Sequence, residues 1–275
     1  MTDIETYANQ IKETATWIQS HTQLRPKIAI TLGTGLGKLV EDIDIVDAFP
    51  YKDIPNFPVS TVEGHSGRLL FGHLGGREVM ALEGRFHYYE GYHMQQVTFA
   101  QRVMKELGME VFFVSNASGG MNPDFLIGDL MLITDHINLF PEHPLHGPNF
   151  PGGPRFPDMH EVYDKDLLKM ARDIAREKGI RLVEGVYVGT QGPTFETPSE
   201  YRMFHRLGGD AVGMSTVPEV IVARHAGLRV FGISVITDLG LEGVTVEVSH
   251  EEVQRAAEKA QPLMCTIFRE MIARL

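Results

Sequence analysis

Residues 213–219, GMSTVPE, follow a short apolar run and lead into a helix-like stretch at 220–226. Three other segments show the same order, an apolar run that ends in small and hydroxyl residues. They are residues 28–38 (IAITLGTGLGK), 111–120 (VFFVSNASGG) and 186–196 (VYVGTQGPTFE). Turns of this kind after a strand expose backbone N–H groups and hydroxyls together, and such groups bind anions and sugars. The four segments predict a small-molecule site along one rim of a sheet.

Apolar runs and helix-period patterns alternate along the rest of the chain. Strands are predicted at 28–32, 68–74, 78–82, 111–115, 130–134, 185–188, 211–213 and 230–237. Helices are predicted at the N terminus and at 94–107, 165–178, 199–207, 217–226 and 250–275. Gly75-Gly76 joins two adjacent runs as a hairpin would, so the sheet is expected to be mixed. The pattern predicts an α/β fold in a single domain over residues 1–275, with a central sheet flanked by helices.

Composition excludes several classes of partner. Lys and Arg total 25 against 36 Asp and Glu, a formal net charge of −11, which disfavours nucleic acid and anionic membranes. Apolar stretches are too short to span a bilayer, and the N terminus lacks the pattern of a signal peptide. The single cysteine, Cys265, cannot form an internal disulfide, which fits a reducing compartment. We expect a cytoplasmic protein that holds any anionic ligand by local donors.

One region departs from the α/β pattern. Residues 141–157 contain six prolines and three glycines, which disfavour both helix and strand. A segment of this length without secondary structure is typical of a functional loop or a linker. Phe140, Phe150 and Phe156 favour a loop packed against the protein or a neighbouring subunit.

Two segments contain candidate phosphate donors. The Gly-rich stretch 33–38 matches neither a dinucleotide fingerprint nor a P-loop, so it is either a plain turn or a turn that binds phosphate with Thr34. Arg85 and His87 are two residues apart, so in extended backbone they face the same way and can share one anion. The alternative is a solvated Arg and a core His. His65 lies between glycines and can close over the same anion or be a surface residue.

Other polar residues follow predicted strands. Ala117 lies in a run of small residues that lets backbone amides approach a ligand. Glu196, after Phe195, can accept hydrogen bonds from a ring, and Asp238 ends a strand; each carboxylate is otherwise a helix cap or a surface charge. Ser215 has no nucleophile elbow around it and is interpreted as an anion donor. A group of possible metal ligands lacks zinc spacing, so no metal is predicted: His136, His143, His146, Asp158 and His160.

Nine segments, taken in order, resemble the trimeric purine nucleoside phosphorylases. They are TLGTGLG, EGHSGRL, GRFHYYEGY, SNASGGMNP, GDLMLITDHINL, RFPDM, GPTFET, GMSTVPEVIVARH and SHEEV, from about Ile28 to the C-terminal helix. The resemblance implies a distorted mixed sheet, a homotrimer with sites at subunit interfaces, and reversible phosphorolysis of purine nucleosides in purine salvage. It implies inorganic phosphate as co-substrate and no cofactor.

The resemblance also implies residue roles. The phosphate site would be Thr34, His65, Arg85, His87, the Ala117 amide and Ser215. The ribose site would be Tyr89, Met214 and His250, with Phe156 from the neighbouring subunit. The purine site would be Phe195, Glu196 and Asp238, and the catalytic set would be His87, Glu196 and Asp238.

Position 238 departs from the family, which usually has Asn there. An ionised Asp238 would accept from a 6-amino group and favour adenosine, whereas a protonated Asp238 can still serve inosine and guanosine. Three alternatives remain: a methylthioadenosine phosphorylase, a non-catalytic nucleoside sensor and a metal-dependent hydrolase. His250 argues against a methylthioadenosine phosphorylase, and the retained phosphate ligands argue against a non-catalytic nucleoside sensor. A metal-dependent hydrolase would ignore phosphate.

Overall fold

The structure is a computed structural model that describes residues 3–33, 37–61, 66–240 and 249–275, and only the backbone of His250. Its strands are β1 (Ile28–Leu32), β2 (Asp44–Pro50), β3 (Arg68–Leu74), β4 (Arg77–Glu83), β5 (Val111–Gly120), β6 (Leu130–Asn138), β7 (Leu182–Gly189), β8 (Ala211–Gly213) and β9 (Arg229–Leu239). Its α-helices are α1 (Ile4–His21), α2 (Met94–Val97), α3 (Phe99–Glu106), α4 (Lys165–Lys178), α5 (Pro198–Arg206), α6 (Val217–His225) and α7 (His250–Ala273).

The strands form one sheet in the order β2-β3-β4-β1-β5-β8-β7-β6-β9, and β5 also pairs with β9. This extra pairing closes β5, β8, β7, β6 and β9 into a ring, while β2, β3, β4 and β1 form an open extension. Parallel pairs such as β1–β5 and β5–β9 occur beside antiparallel pairs such as β3–β4. The predicted α/β fold with a mixed, distorted sheet is confirmed, and so is the hairpin at Gly75-Gly76.

The core lies where β5 and β9 meet the C-terminal helix α7. Phe113 of β5, Phe231 of β9 and Phe268 of α7 are fully buried. Their ring centroids lie 5.3 Å apart for Phe113–Phe231 and for Phe113–Phe268, and 5.9 Å apart for Phe231–Phe268. Tilted and edge-on aromatic contacts at these separations add to the burial of apolar area. The packing of these rings against α7 therefore fixes the positions of β5 and β9, the two strands that carry site residues.

An irregularity in the β5–β9 pairing determines where the site residues point. Ser118 is in register with Ile236, but the next residue, Gly119, is in register with Asp238, so Thr237 is an extra residue in β9. Such a bulge redirects the side chains that follow it. The turn predicted at residues 116–120 was wrong, because these small residues continue β5 and still pair with β9.

Other differences from the predicted elements have local causes. Strand β2 was not predicted, because it is an edge strand whose residues are mostly exposed and lack a buried apolar pattern. The helix predicted at 94–107 is split into α2 and α3 at Thr98, whose φ of −106° and ψ of 14° leave the helical region. Thr197 caps α5 together with Glu200, and Pro198 occupies its first turn, which suits proline.

Residues 141–157 contain neither helix nor strand, as predicted. Phe150 packs edge-on against Tyr7 at 6.0 Å between centroids, and the guanidinium of Arg102 lies 4.2 Å from the Phe150 ring centroid. The segment is therefore a packed loop over part of its length. Phe156, near its end, is 88% exposed. Of the helices in the described ranges, none is long and apolar enough to cross a bilayer.

Candidate active site

A cavity of about 520 Å³ is lined by residues of β5, β8 and β9 and of several loops. The segment after β4 supplies Arg85, His87, Tyr89 and Glu90; β5 supplies Asn116, Ala117, Ser118 and Gly119; β8 and the turn after it supply Val212, Gly213, Met214 and Ser215. The loop before α5 supplies Pro193, Phe195 and Glu196, and the remaining walls are Thr61, Tyr201, Thr237, Asp238 and Val253. A cavity of this size suits a small ligand.

Arg85 lines this cavity and is buried, with 2% of its surface exposed. Its Nε lies 3.1 Å from Oε2 of Glu219, which is 3% exposed, and its NH1 donates to the Ser115 carbonyl at 2.8 Å. A Cβ on Gly33 would lie 2.9 Å from the same NH1, so glycine at position 33 leaves room for the guanidinium. A buried ion pair with further hydrogen bonds holds a planar guanidinium in one orientation.

Glu219 also links Arg85 to the turn that carries Ser215. Its Oε2 accepts a hydrogen bond from the backbone N–H of Thr216 at 3.1 Å, and its Oε1 accepts from Nε2 of Gln101 at 3.1 Å. Thr216 has a φ of +69°, a strained value for a β-branched residue. Ser215 Oγ lies 3.0 Å from Thr216 Oγ1, which accepts from Asn116 Nδ2 at 2.8 Å. One buried carboxylate therefore positions both the guanidinium and the serine.

His87 forms a pair with Glu90 beside Arg85. His87 Nδ1 lies 3.0 Å from Glu90 Oε1, and the His87 backbone N–H donates to the same oxygen at 2.7 Å. Burial lowers the pKa of His87 although the hydrogen bond to Glu90 opposes it, so the ring is neutral at neutral pH. Burial alone would raise the pKa of Glu90, but hydrogen bonds from His87 and Thr61 lower it to about 2. The ring of Tyr89 stacks on His87 at 4.6 Å between centroids.

In this arrangement the carboxylate of Glu90 accepts the Nδ1 proton of the neutral His87 ring. The tautomer of His87 therefore has its lone pair on Nε2. A neutral imidazole held in this way accepts a hydrogen bond from an acidic O–H, whereas Arg85 and Ser215 donate.

Two carboxyl groups, those of Glu196 and Asp238, also line the cavity. Burial raises the pKa of Glu196 to about 7, and the charge of Asp238 adds to the increase. Burial also raises the pKa of Asp238, although hydrogen bonds from the hydroxyls of Tyr201 and Thr237 oppose it. Tyr201 Oη donates to Asp238 Oδ2 at 2.8 Å. Phe195, the residue before Glu196, is 41% exposed and supplies an aromatic face at the cavity wall.

The structure brings nine of the predicted site residues together around this one cavity. They are Arg85, His87, Tyr89, Ala117, Phe195, Glu196, Met214, Ser215 and Asp238. Thr34 and His65 lie outside the described residues, and only the backbone of His250, at the start of α7, is described. Phe156 does not line the cavity of its own chain; its predicted contribution to a neighbouring subunit stays a prediction.

Sequence reasoning missed three residues that organise the site. Glu219 and Thr216 form a capping box at the start of α6, and the T-x-x-E spacing that signals it is visible in the sequence. Tyr201 had no such signal. Among the described residues, no group of three or more His, Cys, Asp or Glu side chains is arranged to hold a metal ion.

Comparison with known proteins gives consistent matches. A family model described as the phosphorylase superfamily matches residues 27–273. Purine nucleoside phosphorylase 1 of Geobacillus stearothermophilus is 52% identical over 252 residues, which cover 91% of this chain and 92% of that protein.

Solved structures agree. Purine nucleoside phosphorylase of Schistosoma mansoni in complex with inosine superposes with a TM-score of 0.92 at 41% identity, covering 97% of this chain and 96% of that one. The adenosine complex of Schistosoma mansoni purine nucleoside phosphorylase gives a TM-score of 0.92 at 42% identity, covering 97% of both chains. With the family model matched over residues 27–273 and 52% identity over 91% of its length, this chain belongs to the phosphorylase superfamily and, within it, to the purine nucleoside phosphorylases.

Proposed function

We propose that this protein catalyses the reversible phosphorolysis of purine nucleosides in purine salvage. A (deoxy)ribonucleoside and inorganic phosphate give a free purine base and (deoxy)ribose 1-phosphate. The observation that carries the proposal is the set of polar groups that line one cavity: Arg85 and Ser215 can donate to an oxyanion, and Glu196 and Asp238 present carboxyl groups. A nucleoside fits between an anion site and a set of acceptors for its base.

The phosphate is held by Arg85, Ser215 and His87. The guanidinium and the hydroxyl donate to phosphate oxygens. Nε2 of His87 accepts from the O–H of monohydrogen phosphate, because Nδ1 of the same ring is bound to Glu90. By the family resemblance, Thr34, His65 and the backbone amide of Ala117 complete this site.

The sugar and the base occupy the rest of the cavity. Tyr89 and Met214 face the ribose, joined by His250 and by Phe156 of a neighbouring subunit in a homotrimer. Exposure of 88% of Phe156 is consistent with such a contribution. Phe195 lies against the purine, and ionised Glu196 accepts from the N1–H of a 6-oxopurine.

The reaction needs only positioning and charge stabilisation. The C1′–N9 bond breaks with its electron pair going to the purine, and cationic character develops on the sugar. Phosphate stabilises that cation and forms the new bond from its oxygen to C1′. The proton lost by monohydrogen phosphate balances the proton gained by the base, so no cofactor and no covalent enzyme intermediate are required.

Adenosine is a second candidate substrate beside inosine and guanosine. Asp238 accepts a hydrogen bond from Tyr201, as an ionised carboxylate does, and an ionised carboxylate accepts from a 6-amino group. The Schistosoma mansoni relative has been solved with both adenosine and inosine.

The test is release of free base from inosine, guanosine and adenosine, with and without phosphate. We expect release to require phosphate, to persist in the presence of a chelator and to fall strongly in Ser215→Ala. Equal release without phosphate would rule out phosphorolysis, and loss with chelator would indicate a metal-dependent hydrolase. Asp238→Asn should lower the adenosine-to-inosine ratio, and an unchanged ratio would contradict the role given to Asp238.

A further inference from the structure

The hydroxyl of Tyr201 contacts Asp238, one of the two carboxyl groups of the proposed purine site. Tyr201 is on α5 with 7% of its surface exposed, and its Oη donates to Asp238 Oδ2 at 2.8 Å. Burial raises the pKa of Tyr201 well above its ordinary value, and the charges of Asp238 and Glu196 add to the increase. Tyr201 therefore stays protonated, and its single proton is donated to Asp238.

Glycines on two segments make the space for this side chain. A Cβ on Gly119 of β5 would lie 2.5 Å from the Tyr201 hydroxyl and 2.9 Å from Asp238 Oδ2. A Cβ on Gly240, directly after β9, would overlap the Tyr201 ring. These separations are too short for a real side chain. The Tyr201 ring therefore occupies a slot that a side chain at position 119 or 240 would fill.

The second oxygen of Asp238 also meets a hydroxyl. Thr237 Oγ1 lies 3.0 Å from Asp238 Oδ1 and 3.2 Å from the Ser118 carbonyl oxygen. Its one proton is thus divided between these two acceptors. Tyr201 makes the shorter contact with the carboxylate, 2.8 Å against 3.0 Å for Thr237, so Tyr201 is the stronger of the two donors.

We propose that the Tyr201 hydroxyl determines substrate specificity by holding Asp238 in its ionised form. This inference rests on the proposed function. With the hydroxyl present, Asp238 is an acceptor and binds the 6-amino group of adenosine. Without the hydroxyl, Asp238 takes up a proton and donates to O6 of inosine or guanosine. Tyr201 is a positioning residue, because it acts through Asp238.

The experiment compares kcat/KM for adenosine and inosine in Tyr201→Phe, Asp238→Asn and the double variant. Phe keeps the ring in its slot and removes only the hydroxyl. We expect the adenosine-to-inosine ratio to fall at least about tenfold in Tyr201→Phe, the lower end for a lost hydrogen bond to a charged group. In the Asp238→Asn background the same change should leave the ratio unaltered, because an amide does not ionise.

The matched control is Tyr7→Phe. Tyr7 is 5% exposed and donates one hydrogen bond to the Gln95 carbonyl at 2.7 Å, away from the cavity. We expect it to leave the substrate ratio unchanged. An unchanged ratio in Tyr201→Phe, or an equal fall with Asn at position 238, would overturn the inference while wild-type phosphorolysis stands. Absence of phosphate-dependent release in the wild type would instead overturn the proposed function.

Discussion

Replacing Glu196 with Gln should stabilise the protein relative to wild type, and this gain should be larger at pH 8 than at pH 5. Burial raises the pKa of Glu196 from 4.5 to about 7 in the folded protein. Between these values the folded state keeps a proton that the unfolded state has lost, so the free energy of unfolding falls as pH rises. This difference in pKa lowers the free energy of unfolding of the wild type by about 3 kcal/mol at pH 8, because each pKa unit corresponds to about 1.4 kcal/mol. The amide introduced by Glu196→Gln does not ionise and avoids this cost.

The assay is urea denaturation of wild type and Glu196→Gln at pH 5, 6, 7 and 8. Phosphate is left out and the protein concentration is held constant, because ligand binding and association both shift apparent stability. The difference between the two proteins cancels the other titrating groups and should grow by about 2.5 kcal/mol from pH 5 to pH 8. Exposed Glu258 provides the control: Glu258→Gln should show a nearly constant difference. A constant difference for Glu196→Gln as well would refute the burial argument.

Three further results are expected. Glu219→Gln should raise the KM for phosphate and lower the free energy of unfolding by about 3 kcal/mol, because it removes the carboxylate charge that pairs with the buried Arg85 guanidinium. An unchanged KM for phosphate would contradict the positioning role of Glu219. Phe156→Ala should raise the KM for nucleoside without lowering stability, since the side chain is 88% exposed in its own chain; an unaltered KM would count against its role in a neighbouring site. Hypoxanthine, the base of inosine, should bind more weakly below pH 7, by up to about tenfold per pH unit, because protonated Glu196 no longer accepts a hydrogen bond from N1–H. The same pH dependence of hypoxanthine affinity in Glu196→Gln would contradict this assignment.

Much of the sheet could be predicted because its strands are buried on both faces. Continuous apolar runs such as β1, in which every residue is buried, stand out in the sequence. The exposed edge strand β2 gives no such signal. The closure of the ring depends on the pairing of β5 with β9, whose residues are more than a hundred positions apart. No local pattern specifies that pairing or the bulge at Thr237.

Some features of the site could be predicted from local sequence, and others depend on the folded structure. Arg85 and His87 could be paired from their spacing, because that relation is local. Glu219 is visible in the sequence as a cap of α6, but its contact with Arg85 spans 134 positions and depends on the folded sheet. Tyr201 reaches Asp238 only because glycines on two other segments leave a slot for its ring. Such complementarity arises from the fold and has no counterpart in periodicity or spacing.

The most direct measurement is the stoichiometry of phosphate consumption during nucleoside cleavage. Purified protein is incubated with inosine and limiting phosphate, and ³¹P spectra follow phosphate and sugar phosphate while hypoxanthine is measured by absorbance. A cavity that binds phosphate through Arg85, His87 and Ser215 beside the sugar predicts one ribose 1-phosphate for each hypoxanthine, and a hypoxanthine yield that never exceeds the phosphate supplied. Hypoxanthine released while the phosphate signal stays constant would contradict it.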